Sequence, residues 1–330
     1  MKIAIVIGGS GFVGRHMIRS FLNDNLYDQI IVCDLIPPPV LDGRIVYIPT
    51  DVRTCIDPGS LMDASEDNAV IIYNLAAICR IPGFPDKDYF ETNTLGARNV
   101  CALADEIRCR DIIFTSSISI YGASEDEKIE ESLPQPNNPY GISKLVAEHI
   151  HRAWQASDPA KNLLILRPGI IFGQDEDANF TRLYKAIAGR YFLYPGRRNA
   201  RKSSIYVKDM VSLCYHLATR MQGLMVYNLT YPTAHTTEEI CAAIAKITGK
   251  SRPKITIPAW LLLLVASGIF YFARLLGKRE IRFHPDRVNK LMVSTNVSGK
   301  KIEDMGYHMQ FSLEDAILDW YKDCAGKGLF

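Results

Sequence analysis

The chain has 330 residues, which exceeds the usual size of one domain, so we expect a large core and a smaller second lobe. Its 38 lysines and arginines nearly balance 36 aspartates and glutamates, giving a net charge of +2. The composition shows no basic stripe interleaved with aromatic residues, and it therefore excludes nucleic acid as a partner.

The cysteines and the N terminus indicate the compartment. The eight cysteines form no C-x-x-C pair and have no spacing to histidine that suits zinc, so we expect reduced, mostly structural thiols and no metal site. Met1-Lys2 leads directly into an apolar run at residues 3–7, which is too short for the core of a signal peptide. We therefore expect a cytoplasmic protein.

Short apolar runs alternate with helical patterns along the first half of the chain. They read IAIVI, QIIVCD, RIVYI, AVIIYNLAA, DIIFTSS and LLILRPGIIFG, each bounded by glycine, proline or charge. This rhythm is typical of buried parallel strands joined by crossover helices, and it predicts a doubly wound α/β sheet of the Rossmann type over residues 1–176. We expect one strand to return near residues 225–230 and a smaller C-terminal α/β substrate lobe over 177–330.

A glycine-rich turn predicts a dinucleotide site. The stretch IAIVIGGSGFVG places a glycine triplet, beginning with Gly8 and Gly11, between the first strand and a helix, where the backbone can approach a pyrophosphate. A purely structural turn is the alternative reading of such a triplet. Asp34 ends the second strand, where a carboxylate accepts from ribose hydroxyls and repels a 2′-phosphate, which favours NAD. Arg15 and Arg53 leave NADP as the minor alternative.

A tyrosine and a lysine in NPYGISK form the candidate catalytic pair. Tyr140 and Lys144 are spaced i and i+4, so on a helix they share one face. The nearby ammonium, an oxidised nicotinamide and a helix N terminus after Pro139 predict a lowered pKa for Tyr140, suited to a general base. Ser117, in FTSSISIYG at the end of another strand, can hold the substrate oxygen against Tyr140.

These residues resemble the extended short-chain dehydrogenase/reductase family, which includes the sugar-nucleotide epimerases and dehydratases, over nearly the whole chain. The motifs GGSGFVG, CDL, TDVR, NLAA, TNTLGARNV, FTSSISIYG, YGISK and LRPGIIFG occur in the family's order. Asn74 departs from the pattern, because many relatives carry histidine there, and we expect it to affect fine positioning only.

The resemblance implies where the cofactor binds: Asp51 and Val52 would flank adenine, Asn93 would brace the site and Pro168 would face the nicotinamide. The full set of expected cofactor residues is Gly8, Gly11, Phe12, Val13, Asp34, Asp51, Val52, Leu75, Ala76, Ala77, Asn93, Tyr140, Lys144 and Pro168.

The residues after Ser117 distinguish subclasses of this family. Sugar dehydratases carry an acidic pair there, because eliminating water needs an acid and a base, and Ile118-Ser119 cannot supply them. A 4-epimerase is the leading interpretation, and the alternative is a 4-keto-sugar reductase or hydroxysteroid-type dehydrogenase. A binding protein without chemistry is disfavoured because Tyr140 and Lys144 are both present.

Substrate contacts are less well marked. By resemblance, Asn179 corresponds to an asparagine that touches a substrate diphosphate, although Asn179 and Arg287 read equally well as surface residues. Lys202 stands where sugar-nucleotide epimerases usually place arginine, and Ile170 replaces an asparagine, which weakens the case for an ordinary UDP-hexose. The candidate substrate residues are Arg80, Ser117, Asn179, Lys202 and Arg287.

An apolar stretch, PAWLLLLVASGIFYFARLLGKR at residues 258–279, interrupts the second half. Its uncharged part, 260–273, would cover about 21 Å as a helix, short of the ~30 Å hydrocarbon core of a bilayer. With cations immediately after it, the stretch suits a helix lying on an anionic membrane surface. A helix buried in the second lobe or at a dimer contact is the alternative.

With this late apolar segment, the motif set looks most like that of the bacterial epimerases acting on N-acetylglucosamine pyrophosphoryl-undecaprenol in O-antigen assembly. The resemblance implies an NAD-dependent 4-epimerase of an N-acetylhexosamine carried on undecaprenyl pyrophosphate or UDP. It further implies a homodimer, peripherally associated with the inner face of the cytoplasmic membrane.

Overall fold

A seven-stranded parallel sheet forms the centre of the molecule. The computed structural model describes residues 1–59, 61, 68–80, 83–264, 267–268 and 292–330. The strands of this sheet are β1 Lys2–Ile7, β2 Gln29–Asp34, β3 Ile45–Pro49, β4 Ala69–Asn74, β5 Asp111–Thr115, β7 Asn162–Pro168 and β12 Leu224–Leu229. Their order across the sheet is β12-β7-β5-β4-β1-β2-β3. The predicted doubly wound sheet is confirmed, and β12 is the returning strand.

Helices cover both faces of this sheet, as continuous apolar strands require. One face packs against α1 (Phe12–Asn23) and α6 (Val207–Ala218), and the other against α3 (Gly96–Glu106) and α4 (Pro139–Ala156). Ile3, Ile5 and Ile7 of β1 point to the second face, whereas Ala4 and Val6 point to the first. Both faces of β1 are therefore buried, which explains why its sequence is an unbroken apolar run.

The helix before α3 contains a wide turn. α2 (Asp86–Tyr89) continues through a π-helical segment, Phe90–Leu95, directly into α3. Such segments interrupt regular helices most often at functional sites. Here the wide turn carries Asn93, one of the residues expected to brace the cofactor site.

A second region packs around its own apolar cluster. Its helices are α5 (Asn179–Ala188), α7 (Thr237–Ile247) and α9 (Leu313–Asp323), whereas the short α8 (Lys300–Asp304) buries Ile302 in the cluster on the α1 and α6 face of the large sheet. Its strands are β8 (Ile170–Phe172), β9 (Tyr194–Pro195), β10 (Arg201–Lys202), β11 (Ser204–Tyr206), β13 (His235–Thr236), β14 (Thr256–Ile257) and β15 (Thr295–Val297). Phe172, Phe180 and Trp320 lie at the centre of the cluster. The boundary at residue 176 stays a prediction.

One strand from the first half belongs to a small sheet of the second region. β6 (Ser124–Lys128) pairs with β15, in a four-stranded sheet of order β13-β10-β15-β6. β6 lies in the segment between Ser117 and Tyr140. The link between these two candidate residues is therefore anchored to the C-terminal part of the chain.

The strand order places the site. β1 has β2 on one side and β4 on the other, so the chain switches direction there and leaves a crevice at the carboxyl ends of the strands. Gly8, Asp34, Ala76, Ser117 and Pro168 all follow or end strands at this edge. The fold thus gathers onto one edge residues that lie far apart in sequence.

Candidate active site

The turn between β1 and α1 has the geometry of a phosphate cradle. Gly8 has φ of +83°, and a Cβ atom there would lie 2.7 Å from the amide nitrogen of Ala76. A Cβ atom at Gly14 would lie 2.4 Å from the carbonyl oxygen of Gly9, so these two positions require glycine. Gly11, which precedes α1, provides no side-chain cap, and the first amides of the helix stay available to an anion. The turn fits the pyrophosphate of a dinucleotide.

Asp34 is fixed above that turn. Its carboxylate accepts hydrogen bonds from the amides of Ser10, at 2.9 Å, and Leu35, at 2.7 Å. The two arginines that left NADP open are engaged elsewhere: Arg15 lies 3.9 Å from the Asp175 carboxylate, and Arg53 pairs with Asp51 at 2.6 Å. These contacts favour a cofactor with a free ribose hydroxyl at this position.

Asp51 and Val52 lie beside the π-helical segment. The Arg53 guanidinium lowers the pKa of the Asp51 carboxyl. A cavity of about 330 Å³ opens here, lined by Asp51, Arg53, Thr54, Glu91 and Leu95. The side chain of Asn99 donates to the carbonyl oxygen of Val52 at 2.8 Å. The structure therefore provides an open space next to the residues expected to flank adenine.

Asn93 connects the loop after β4 to the helix that carries the catalytic pair. Its amide oxygen accepts from the backbone N–H of Ile78 at 2.9 Å, and its amide nitrogen donates to Ser143 Oγ at 2.9 Å. Ser143 in turn donates to the carbonyl of Tyr140 at 2.8 Å. The loop bearing Ala76 and Ala77 is thereby held at a fixed distance from α4.

Ser117, Tyr140 and Lys144 are brought together at the carboxyl end of β5. α4 begins after Asn138, whose side chain accepts from the amide of Gly141 at 2.9 Å, so both candidates lie in its first turns. The Ser117 hydroxyl lies near the phenol of Tyr140 and acts to lower its pKa. The ammonium of Lys144 lies 4.4 Å from the ring centre of Phe114, and the lysine is buried.

The pKa of Tyr140 differs from the sequence-based expectation. Burial raises it above its ordinary value, and the Ser117 hydroxyl only partly opposes this effect. Burial also lowers the pKa of Lys144 to about 8, against the opposing charges of Cys79 and Glu148. In the chain alone, desolvation therefore outweighs the groups that favour the phenolate, and the expected lowering, which also counts an oxidised nicotinamide, stays a prediction.

Two neighbours of this set were missed by sequence reasoning. Cys79 is an exposed residue whose thiol, when ionised, interacts electrostatically with both Tyr140 and Lys144. Its position two residues after Ala77 was the available signal. Glu148 lies one helical turn beyond Lys144 and is buried, and its i+4 spacing from Lys144 could have identified it.

The expected substrate residues do not form a comparable cluster. Asn179 is exposed at the start of α5, while the Glu176 carboxylate caps that helix by accepting from the amide of Thr181 at 2.8 Å. Arg80 is exposed and lies 3.7 Å from the Asp177 carboxylate. Lys202 is a different case and is described next. Arg287 lies outside the described residues.

Lys202 is buried on β10 and donates to the backbone carbonyl of Val293. Burial lowers its pKa to about 8, and the nearby Arg197 lowers it further, whereas Glu125 raises it. A buried ammonium beside an arginine is an environment that an additional anion would stabilise.

Part of the apolar stretch is described. Residues 259–264 are helical, and Trp260 and Leu264 are 66% and 65% exposed. These fractions contradict burial in the second lobe for these two side chains. Within the described part of the chain, no helix is both long and apolar enough to cross a membrane. Most of the remaining stretch, including Phe270, lies outside the described residues.

Sequence comparisons identify relatives. A profile of the NAD dependent epimerase/dehydratase family matches residues 4–230. N-acetyl-alpha-D-glucosaminyl-diphospho-ditrans,octacis-undecaprenol 4-epimerase of Escherichia coli O157:H7 is 28% identical over 319 residues, covering 95% of this chain and 92% of the relative. UDP-glucose 4-epimerase 3 of Oryza sativa subsp. japonica is 26% identical over 76% of this chain and 77% of its own length.

Solved structures share the fold. UDP-N-acetylglucosamine 4-epimerase from Bacillus cereus superposes with a TM-score of 0.72 at 19% identity, covering 98% of this chain and 100% of the other. The UDP-glucose 4-epimerase of Thermus thermophilus, in complex with NAD, gives a TM-score of 0.73 at 20% identity and covers 98% of this chain and 99% of the other.

Proposed function

Because the chain belongs to the NAD dependent epimerase/dehydratase family, we propose that it is a 4-epimerase of an N-acetylhexosamine carried on a pyrophosphate, linked to undecaprenol or to UDP. The observation that carries this proposal is the approach of Ser117, at the end of β5, to Tyr140 in the first turn of α4, with the buried Lys144 one turn further along the same helix. The glycine turn at Gly8 lies at the same sheet edge.

In this proposal each residue of the set has one task. NAD held at the glycine turn would supply the acceptor for the hydride of carbon 4 and would give it back to the opposite face of the sugar. Ser117 holds the oxygen on carbon 4, and Tyr140 takes the hydroxyl proton and later returns it. Lys144 keeps a positive charge beside the developing phenolate, which burial otherwise disfavours.

A dehydratase lacks the groups it needs in this turn. The two positions after Ser117 are Ile118 and Ser119, and neither side chain carries a carboxyl group. Ile118 is buried, and the amide of Ser119 donates to Ser117 Oγ at 3.1 Å. A 4-keto-sugar reductase or a hydroxysteroid-type dehydrogenase would use the same three residues. A reductase would differ by leaving the hydride on its product, and a dehydrogenase by leaving it on the cofactor.

The lipid-linked substrate is supported by three observations. The relative from Escherichia coli O157:H7 acts on such a substrate and aligns over 95% of this chain. Trp260 and Leu264 expose large apolar surface on the helix 259–264. By the family resemblance, Lys202 stands where sugar-nucleotide epimerases usually carry arginine. On this basis the helix rests on the inner face of the cytoplasmic membrane, and the enzyme serves surface polysaccharide (O-antigen) synthesis.

The decisive experiment compares two substrates. The protein is incubated with UDP-N-acetylglucosamine and, separately, with undecaprenyl-pyrophosphate-linked N-acetylglucosamine in detergent, and gluco and galacto products are resolved chromatographically. We expect interconversion of the lipid-linked sugar without net change in NADH absorbance. Stoichiometric change in NADH would indicate the reductase or dehydrogenase alternative, and no conversion of either sugar would refute an epimerase.

A further inference from the structure

One buried carboxylate bonds two strand ends that flank the catalytic set. Glu148 lies on α4 and is 1% exposed. Its Oε1 accepts from Ser116 Oγ at 2.6 Å and from Arg167 Nε at 2.9 Å, while Oε2 accepts from Arg167 Nη2 at 2.8 Å. Ser116 directly precedes Ser117, and Arg167 directly precedes Pro168. The carboxylate therefore connects α4 to the carboxyl ends of both β5 and β7.

The same network fixes the far side of the turn that follows Ser117. Arg167 Nη1 donates to the hydroxyl of Tyr121 at 2.6 Å, and that hydroxyl donates to Asn228 Oδ1 at 2.9 Å. Tyr121 ends the short 3-10 helix Ile118–Tyr121, whose first residue follows Ser117. Ser117 is thus restrained from the strand before it and from the turn after it.

Stability alone gives little reason for such an arrangement. Removing two charges from water costs several kcal/mol per ion, and well-packed apolar side chains are often as stable as a buried ion pair. What the charged pair adds is direction, because bidentate guanidinium–carboxylate bonds accept one relative orientation. Reacting groups on separate elements need such orientation, since a misplacement of about 1 Å can cost about a hundredfold in rate.

We propose that Glu148 is a positioning residue, which holds Ser117 beside Tyr140 and Lys144 through its bonds to Ser116 and Arg167. The inference rests on the proposed function insofar as these three residues do the chemistry. Glu148 itself does not touch substrate, and its action on the reaction passes through its neighbours.

The charge of Glu148 also acts on Lys144. The charged or titratable groups that interact with this lysine are Cys79, from the loop after β4, and Glu148 and His151, from α4 itself. The negative charge of Glu148 raises the pKa of Lys144, which burial lowers to about 8. Without that charge Lys144 would lose its proton at a lower pH, and activity at alkaline pH would be lost earlier.

The first variant is Ser116→Ala, which removes the bond to the β5 end and keeps the Glu148–Arg167 pair. We expect kcat to fall roughly tenfold, with KM and bound NAD unchanged. The matched control is Ser204→Ala, since Ser204 is also buried and its hydroxyl has no hydrogen-bond partner among the described residues. Ser204→Ala should keep the kcat of the unchanged protein.

The second variant is Glu148→Gln, which keeps the shape and removes the charge. We expect the alkaline limb of the pH profile of kcat to move to lower pH by roughly one unit. Glu148→Asp keeps the negative charge, so its alkaline limb should lie at the same pH as that of the unchanged protein. If Glu148→Gln does not fold, as shown by loss of bound NAD and of cooperative unfolding, Ser116→Ala and Glu148→Asp decide the question.

A substrate-independent measurement separates this inference from the proposed function. Crystal structures of the NAD-bound protein and of Ser116→Ala should show the hydrogen bond between Ser117 and Tyr140 present in the first and lost in the second. Should the unchanged protein convert no sugar, the proposed function fails and these structures still decide the role of Glu148. Variants that only lower the melting temperature, with kcat, the alkaline limb and the Ser117–Tyr140 bond unchanged, would overturn the inference.

Discussion

Two parts of the candidate site differ in how their polar groups are used. At the catalytic edge, meaning the carboxyl ends of β5 and β7 with α4, Ser116, Glu148 and Arg167 are buried and satisfy one another. On the substrate side, meaning Arg80, Asn179 and Lys202, two side chains are exposed and one is buried. The polar side chains of the catalytic edge are hydrogen-bonded to one another within the chain, whereas those of the substrate side do not form a shared network.

This difference explains why sequence motifs can specify the type of reaction but not the substrate. The catalytic edge performs one type of chemistry, so its geometry is fixed by bonds within the protein. The substrate side must match a particular ligand, and Arg80 meets Asp177 across an exposed pair that is worth little on its own. Reaction type is therefore readable from local motifs, while substrate choice depends on contacts that a ligand completes.

The largest expected effect is at the catalytic edge. Tyr140→Phe should lower kcat about 10²–10⁴-fold, because it removes the group that moves the proton, and bound NAD should stay unchanged. Conversion of the sugar and the NAD content of the purified protein measure the two effects. Tyr191→Phe, at an exposed tyrosine, is the control and should retain activity. Full activity in Tyr140→Phe would contradict the assignment of the catalytic edge.

The second prediction contrasts two buried carboxylates. Glu148 has an arginine partner, whereas burial raises the pKa of Asp209 on α6 to about 6, and the Gln310 amide, which donates to Asp209 Oδ1 at 2.8 Å, only partly opposes this rise. The folded state thus binds this proton more tightly than the unfolded chain, whose pKa is 3.8. Stability should fall as pH rises from about 4 through about 6, by about 3 kcal/mol in total.

Urea unfolding at fixed excess NAD, at pH 4.5 and at pH 7.5, tests this effect as a difference of about 2 kcal/mol, because part of the change lies below pH 4.5, and Asp209→Asn should remove that difference. The exposed Asp304→Asn should stay within about 0.5 kcal/mol of the unchanged protein at each pH. An identical pH dependence in Asp209→Asn and the unchanged protein would show that another group is responsible.

A third, smaller effect is expected on the substrate side. If Lys202 binds the substrate pyrophosphate, Lys202→Met should raise KM roughly tenfold with kcat unchanged, because one charge-assisted hydrogen bond is lost. In the unchanged protein KM should also rise above pH 8, where Lys202 loses its proton. Lys185→Met, at an exposed lysine of α5, is the control. A lower melting temperature with KM unchanged would make Lys202 a structural residue.

The smallest expected effect concerns the membrane. Trp260→Glu with Leu264→Glu should reduce binding to vesicles that contain phosphatidylglycerol severalfold, because charge opposes burial of the apolar face. Bound NAD should not change. Leu41→Glu with Leu133→Glu, at two other exposed leucines, is the control for added negative charge. Equal sedimentation of both double variants with vesicles would contradict a membrane role for the helix 259–264.

Much of the fold was predictable because it follows local patterns. Unbroken apolar runs such as IAIVI identified the strands of the sheet, and the i+4 spacing placed Tyr140 and Lys144 on one helix face. β6 was not predictable: its sequence, SEDEK, has no apolar pattern, and its pairing depends on β15, far along the chain. A strand of this kind is determined by its partner.

The placement of candidate residues was predictable where backbone conformation or spacing required it, as at Gly8 and for Tyr140 with Lys144, whereas their roles stay predictions. The pKa of Tyr140 was not predictable, because desolvation depends on packing by elements distant in sequence. The Glu176 cap on α5 was missed for a similar reason, since it joins a loop to the helix expected to bind substrate. The homodimer and the boundary at residue 176 stay predictions.

The pairing of β6 with β15 limits where the chain can be truncated or exchanged with part of a relative. A shortened chain that ended at residue 176 would lack both β12 and β15, leaving the outer edges of β7 and β6 without neighbours. Unpaired strand edges promote association between molecules. The nucleotide-binding half should therefore aggregate when expressed alone, and chimeras that exchange specificity with a relative need to carry the 124–128 strand together with the C-terminal part.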